Sequence, residues 1–70
     1  MTDAPAVSVV VPLFNEEENV PILQSELVAA LKDFDYEIIF VDDGSTDGTI
    51  SRIAPGSRIR VLPFSKNAGQ

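Results

Sequence analysis

The sequence predicts an α/β fold with elements in the order β-α-β-α-β. Two apolar runs, near 7–11 and 36–41, read as buried strands, and Ile38-Ile39-Phe40-Val41, without polar alternation, as one buried on both faces, as in a parallel sheet covered by helices. Between them apolar residues recur at helical spacing. The second run then stops abruptly at Asp42-Asp43-Gly44, two carboxylates and a glycine. Open α/β sheets bind ligands at the carboxyl ends of their strands, so acid here marks the place to look for function.

The first strand is Val7-Ser8-Val9-Val10-Val11, a β-branched run that Pro12 is expected to end because proline cannot donate to a ladder. After Leu13-Phe14 the chain turns polar at Asn15-Glu16-Glu17-Glu18-Asn19 and then becomes periodic, with Val20, Leu23, Leu27, Ala30 and Leu31 on one face. Pro21 is harmless only within the first turn of a helix, so the helix should begin near Glu18 or Asn19 with Asn19 as its N-cap. The glutamates suit the positive end of the helix dipole. The helix should reach about Lys32, with Leu23, Leu27 and Leu31 in the core. Asp33-Phe34-Asp35 then leads into the second strand, Tyr36 to Val41, and Gly44-Ser45 supplies a tight turn after it. A short second helix is predicted with Thr46 as its cap and Ile50, Ile53 and Ala54 on one face, stopped by Pro55-Gly56. Arg58 to Phe64 is the third strand, its basic residues alternating with apolar ones as on a less buried edge. Right-handed crossovers would build these elements into one mononucleotide-binding half, with sheet order third, second, first.

That arrangement leaves the most hydrophobic strand at an open edge, where natural proteins place short, charged or covered strands. Lys66-Asn67-Ala68-Gly69-Gln70 also stops where another helix could begin. The expectation is an incomplete sheet: the N-terminal piece of a larger α/β domain, able to self-associate through the exposed first strand.

Seventy residues make at most one small domain, which hides only about 60–65% of its unfolded surface. There is no cysteine to staple it and no histidine. Eleven acidic against five basic side chains give a net charge of −6, the opposite of a nucleic-acid footprint, so no nucleic-acid partner is expected. A phosphate-bearing ligand would need a divalent cation or helix N-termini. The first five residues lack a basic signal region, and no apolar stretch approaches the ~20 residues that span a bilayer. The expected location is cytoplasmic.

Val9-Val10-Val11-Pro12-Leu13-Phe14-Asn15-Glu16-Glu17-Glu18-Asn19 and, further on, Val41-Asp42-Asp43-Gly44-Ser45-Thr46-Asp47-Gly48-Thr49 stand together in this order. The pair resembles the start of family 2 glycosyltransferases with the GT-A fold. Glu16 and the late Lys66-Asn67-Ala68-Gly69-Gln70 are most similar to members that move a sugar from a nucleotide onto polyprenyl phosphate. The resemblance implies that residues 1–70 are the nucleotide-sugar-binding part of such a domain. Backbone at Pro12 and the ring of Phe14 would line the base pocket, with phenylalanine where many relatives carry tyrosine. Glu16, Asp42 and Asp43 would bind base and ribose, since carboxylates only accept hydrogen bonds and so match base N–H groups and ribose hydroxyls.

The chain also departs from the family pattern. Members hold Mg or Mn on an Asp-x-Asp motif after the next strand, use a later carboxylate as base or a polyprenyl phosphate acceptor that needs little activation, and often carry C-terminal membrane helices. None of these has a counterpart here. No catalytic or metal-binding residue is therefore expected in this chain, and the complete inverting transferase would work at the cytoplasmic face of a membrane. The alternative is a non-catalytic truncated or interaction fragment.

Other constellations fit less well. Asp43-x-Ser45-x-Asp47-Gly48-x-Ile50 imitates a calcium loop, but Ala54 stands where the bidentate glutamate belongs. A phosphate-accepting receiver domain would carry its acidic pair after the first strand. A plain Asp-Gly turn accounts for Asp42 and Asp43 without any ligand, and Glu17 and Glu18 read as solvated charges. Lys66 and Asn67 could approach phosphates or simply form a polar loop.

Overall fold

The structure is a computed structural model and describes residues 5–64. Its elements are β1 (Val7–Leu13), α1 (Val20–Leu31), β2 (Tyr36–Asp43), a single 3₁₀ turn η1 (Ile50–Arg52) and β3 (Ile59–Phe64). The three strands form one parallel sheet in the order β1-β2-β3, as the sequence predicts. Register runs Val9 to Ile38 to Ile59 and Val11 to Phe40 to Val61.

These rows face the core. Leu13, Val20, Ile38, Phe40 and Ile53 are buried, with Val9, Val11, Leu23, Leu27, Leu31, Tyr36, Ile59 and Val61 packed around them. Each fully buried side chain of the size of Ile38 or Phe40 stabilises by roughly 1.5–3 kcal/mol relative to exposure. The alternate positions, Val10, Pro12, Ile39, Val41 and Leu62, lie on the other face by strand parity, and Val10 is 61% and Leu62 42% exposed. In β2, expected to be buried on both faces, Ile38 and Phe40 are buried on the core face while Ile39 and Val41 on the other are half-buried. Crossovers of a single hand put α1 and η1 on the same side of the sheet, so only that side is covered among the described residues.

Three local expectations also change. Pro12 does not end β1, which continues to Leu13. As an edge strand β1 has one paired side, and an edge tolerates a residue without an N–H. The short second helix is one 3₁₀ turn capped at Thr49, not at Thr46, and Ala54 is exposed while Ile53 enters the core. Ser45, Asp47 and Thr49 spend their side chains on backbone groups, the competition that keeps such residues out of helix interiors. Finally, α1 begins at Val20 with Pro21 in its first turn, but Asn19 makes no side-chain cap bond, and the first turn carries no acid. Glu16 instead closes the preceding turn, its carbonyl accepting from the N–H groups of Asn19 (2.9 Å) and Val20 (2.9 Å).

α1 is held to η1 by a buried amide. Gln24 donates to the Ala54 carbonyl (2.8 Å) and accepts from the Ala54 N–H (2.9 Å), so the exit from η1 is tied to the helix that covers the sheet.

Candidate functional site

β1 and β2 end side by side, Leu13 opposite Asp42, and β3 ends with Phe64 opposite Asp43. Strand alternation turns the two adjacent carboxylates to opposite faces. Asp42 follows Ile38 and Phe40 on the core face and is 2% exposed. Its Oδ2 accepts from the Ser45 N–H (3.0 Å) and its Oδ1 from the Ser45 hydroxyl (2.5 Å), closing the turn over Gly44. Gly44 sits at φ 78°, in the left-handed region that favours glycine. Asp43 is exposed and shares the open face with Pro12, Val41 and Leu62. Among the described residues no hydrogen bond or ion pair engages its carboxylate. Phe14, one residue beyond β1, is 45% exposed.

Asn15-Glu16-Glu17 then runs against 45–49, and the two segments exchange backbone amides for side-chain acceptors. The N–H of Asn15 donates to the Ser45 hydroxyl (2.8 Å), that of Glu16 to the Thr49 hydroxyl (2.9 Å) and that of Glu17 to the Asp47 carboxylate (3.4 Å). In return the Thr46 N–H donates to Asn15 Oδ1 (2.9 Å) and the Gly48 N–H to Glu17 Oε1 (3.2 Å). Asp47 also accepts from the hydroxyl and, at 2.9 Å, the N–H of Thr49. The Thr49 hydroxyl bond, with smaller help from backbone donors, holds the Asp47 carboxyl below its usual range. Gly48 gives the room for this approach, since a Cβ there would lie 2.8 Å from Glu17 Oε2. Asn15 adopts φ 50°, a left-handed conformation that asparagine tolerates better than most residues.

Glu16 is half-buried, accepts from Asn19 Nδ2 (3.0 Å), and lines a polar hollow of about 240 Å³ with Asn15, Glu17, Glu18, Asn19 and Asp47. Pro12, Phe14, Asp42 and Asp43 are not in that lining. The geometry thus divides the five residues singled out from sequence: Pro12 and Asp43 on the open face, Phe14 exposed just past the end of β1, Glu16 in the hollow, Asp42 beneath the turn. Sequence reasoning passed over Asn15, Ser45 and Thr49, which build the frame. The available signal was a loop rich in side chains that bond to backbone, five of which occur at 42, 43, 45, 46 and 47. Lys66 and Asn67 lie outside the described residues.

Among the described residues no group of His, Cys, Asp or Glu is arranged to hold a metal ion, and no helix is long and apolar enough to cross a membrane.

Comparison with known proteins adds a family. The model of glycosyl transferase family 2 matches residues 8–70. An undecaprenyl-phosphate 4-deoxy-4-formamido-L-arabinose transferase of Sodalis glossinidius is 44% identical over 91% of this chain and 22% of its own length. A putative glycosyltransferase of Bacillus subtilis, CsbB, is 37% identical over 91% of this chain and 21% of its own. Among solved structures, the M. tuberculosis glucosyl-3-phosphoglycerate synthase superposes with a TM-score of 0.64 at 35% identity, covering 86% of this chain and 22% of that one. The chain therefore spans about a fifth of the length of the relatives it matches.

Proposed function

This chain belongs to glycosyl transferase family 2, and on that premise we propose that it is the nucleotide-recognition part of an enzyme that transfers a sugar from a nucleoside diphosphate to polyprenyl phosphate. The observation that carries the reading is the contrast at the end of β2. Both oxygens of Asp42 are taken by Ser45, whereas the Asp43 carboxylate stands exposed on the open face with Pro12, and Phe14, one residue past the end of β1, is also exposed. An exposed carboxylate and an exposed aromatic ring at the ends of neighbouring strands suit a nucleoside: the ring would pack on the base, and the carboxylate would accept from base N–H or ribose hydroxyl groups.

In this reading Pro12 and Phe14 line the base pocket, Asp43 and Glu16 bind base and ribose, and Asp42 takes part by holding the turn that presents Asp43. The acceptor is the one named for the undecaprenyl-phosphate arabinose transferase relatives, and the site of action would be the cytoplasmic face of a membrane. The chemistry is inversion at the anomeric carbon by attack of an acceptor oxygen. A divalent cation, Mg or Mn, is the family's means of stabilising the departing diphosphate, but the described residues do not provide a ligand set for it. In this reading the chain's share is recognition. The unpaired edge of β1 is the place where copies of the chain would associate.

The test is titration with uridine diphosphate and guanosine diphosphate, with and without manganese, followed by amide NMR. Shifts confined to Leu13, Phe14, Glu16, Asp43 and Gly44 are expected, and the nucleotide that produces them names the base. Resolved amides that respond to neither nucleotide would refute the reading.

A further inference from the structure

We propose that Asn15 is a positioning residue, the latch that fixes the Gly44 turn, and with it Asp43, against the end of β1. Three observations meet at this residue, one of its side chain and two of its backbone. Its Oδ1 accepts from the Thr46 N–H at 2.9 Å and also lies 3.4 Å from the Thr46 hydroxyl. Its own N–H donates to the Ser45 hydroxyl at 2.8 Å, and that hydroxyl in turn donates to Asp42 Oδ1 at 2.5 Å. Its backbone holds φ 50°, which turns the chain back toward the loop after β2. The path runs from Asn15 through Ser45 to the buried Asp42 carboxylate, and Asp43 and Gly44 are the residues enclosed by it.

A non-glycine residue at positive φ costs conformational energy, and glycine would adopt the same backbone more readily. Glycine at this position would keep the bend and lose the Oδ1 acceptor. The side chain is therefore what the latch uses. Phe14 and Glu16 flank Asn15 in sequence, and Asp43 lies inside the turn that Asn15 grips. Freeing the turn would loosen the segment after β1 against the loop after β2, so a ligand touching both would have to immobilise them on binding.

The role in recognition rests on the nucleotide reading above, whereas the latch itself does not. Two variants separate side chain from backbone. Asn15→Gly keeps access to positive φ and removes the acceptor. Asn15→Asp keeps an acceptor oxygen and tolerates the same backbone. Uncharged uridine and guanosine serve as probes, so that the added charge of the aspartate variant does not repel a diphosphate. The expected result is that Asn15→Gly weakens binding of the preferred nucleoside roughly tenfold, the factor that one hydrogen bond commands, while Asn15→Asp restores it. Equal affinity of the glycine variant and the wild type, or an equal loss in both variants, would overturn the proposal. If the wild type binds neither nucleoside, the nucleotide reading fails and amide hydrogen exchange decides the latch alone. Thr46 exchange slowed in the wild type and in Asn15→Asp, and at least roughly tenfold faster in Asn15→Gly, would establish it. The same Thr46 rate in all three, or a wild-type Thr46 that exchanges like an unstructured peptide, would overturn it.

Discussion

Replacing Thr49 by valine tests whether the frame beneath the site depends on a single buried hydroxyl. Thr49 is fully buried, accepts from the Glu16 N–H at 2.9 Å and donates to Asp47 Oδ1. Valine matches its shape, so no cavity or clash enters the comparison. The Glu16 N–H, however, loses its acceptor at a point where a methyl group now blocks water. Leaving such a donor unpaired costs about 1–3 kcal/mol. The bond to Asp47 counts for little, because that carboxylate is exposed and water replaces the hydroxyl. The extra apolar burial of valine offsets up to ~0.8 kcal/mol. The net expectation is a loss of about 1.5 kcal/mol, which in a domain of this size lowers Tm by roughly 6–12 °C. Thermal unfolding of the two proteins measures it, and exchange of the Glu16 amide shows whether the right bond was broken. A Tm within about 2 °C of the wild type, or a Glu16 amide as protected as before, would refute the reasoning.

Asp43→Ala should weaken nucleoside diphosphate binding by about 1.5–3 kcal/mol, roughly 10- to 150-fold in Kd, with the unfolding transition unchanged; calorimetric titration and a melting curve read both. Gln24→Leu removes both partners of Ala54 at a partly wetted place and should cost about 1–2 kcal/mol, read as a lower urea midpoint, with faster exchange at the Ala54 amide. The Asp47 carboxyl is held low in the folded chain, so its contribution is present above the ordinary aspartate value of 3.8 and is lost as pH falls through the lowered value. The stability difference between wild type and Asp47→Asn should therefore shrink as pH drops below 3.8; a difference that stays constant or grows there would count against the Thr49 contact.

What the sequence made legible is what local chemistry decides. Parallel order, the span of α1 and the turn at Gly44 follow from period, proline position and the need for positive φ. The one-sided burial was not legible, because Val9, Val10 and Val11 offer no contrast in residue type. Which of them enters the core depends on where the crossovers place α1, a fact of topology. Pro12 misled for the same reason: its cost depends on whether the strand has one neighbour or two. Gln24 falls on the apolar face of α1 but finds its partner 30 residues away at Ala54, beyond any periodic pattern.

The candidate site divides along similar lines. That acid would gather at the ends of β1 and β2 was readable; which acid faces out was not, although it follows from parity once the register is known. Parity separates Asp42 from Asp43 at the end of β2, while Glu16, Glu17 and Asp47 lie in the two loops beyond the strands. Apart from Asp43, these carboxylates act mainly as acceptors for N–H and hydroxyl groups within the loops, which disperses their charge into the backbone. Acid in these loops therefore need not signal a cation. It substitutes for strand pairing just past the point where the sheet ends, and under the proposed nucleotide reading it leaves one carboxylate, Asp43, for a ligand that donates hydrogen bonds.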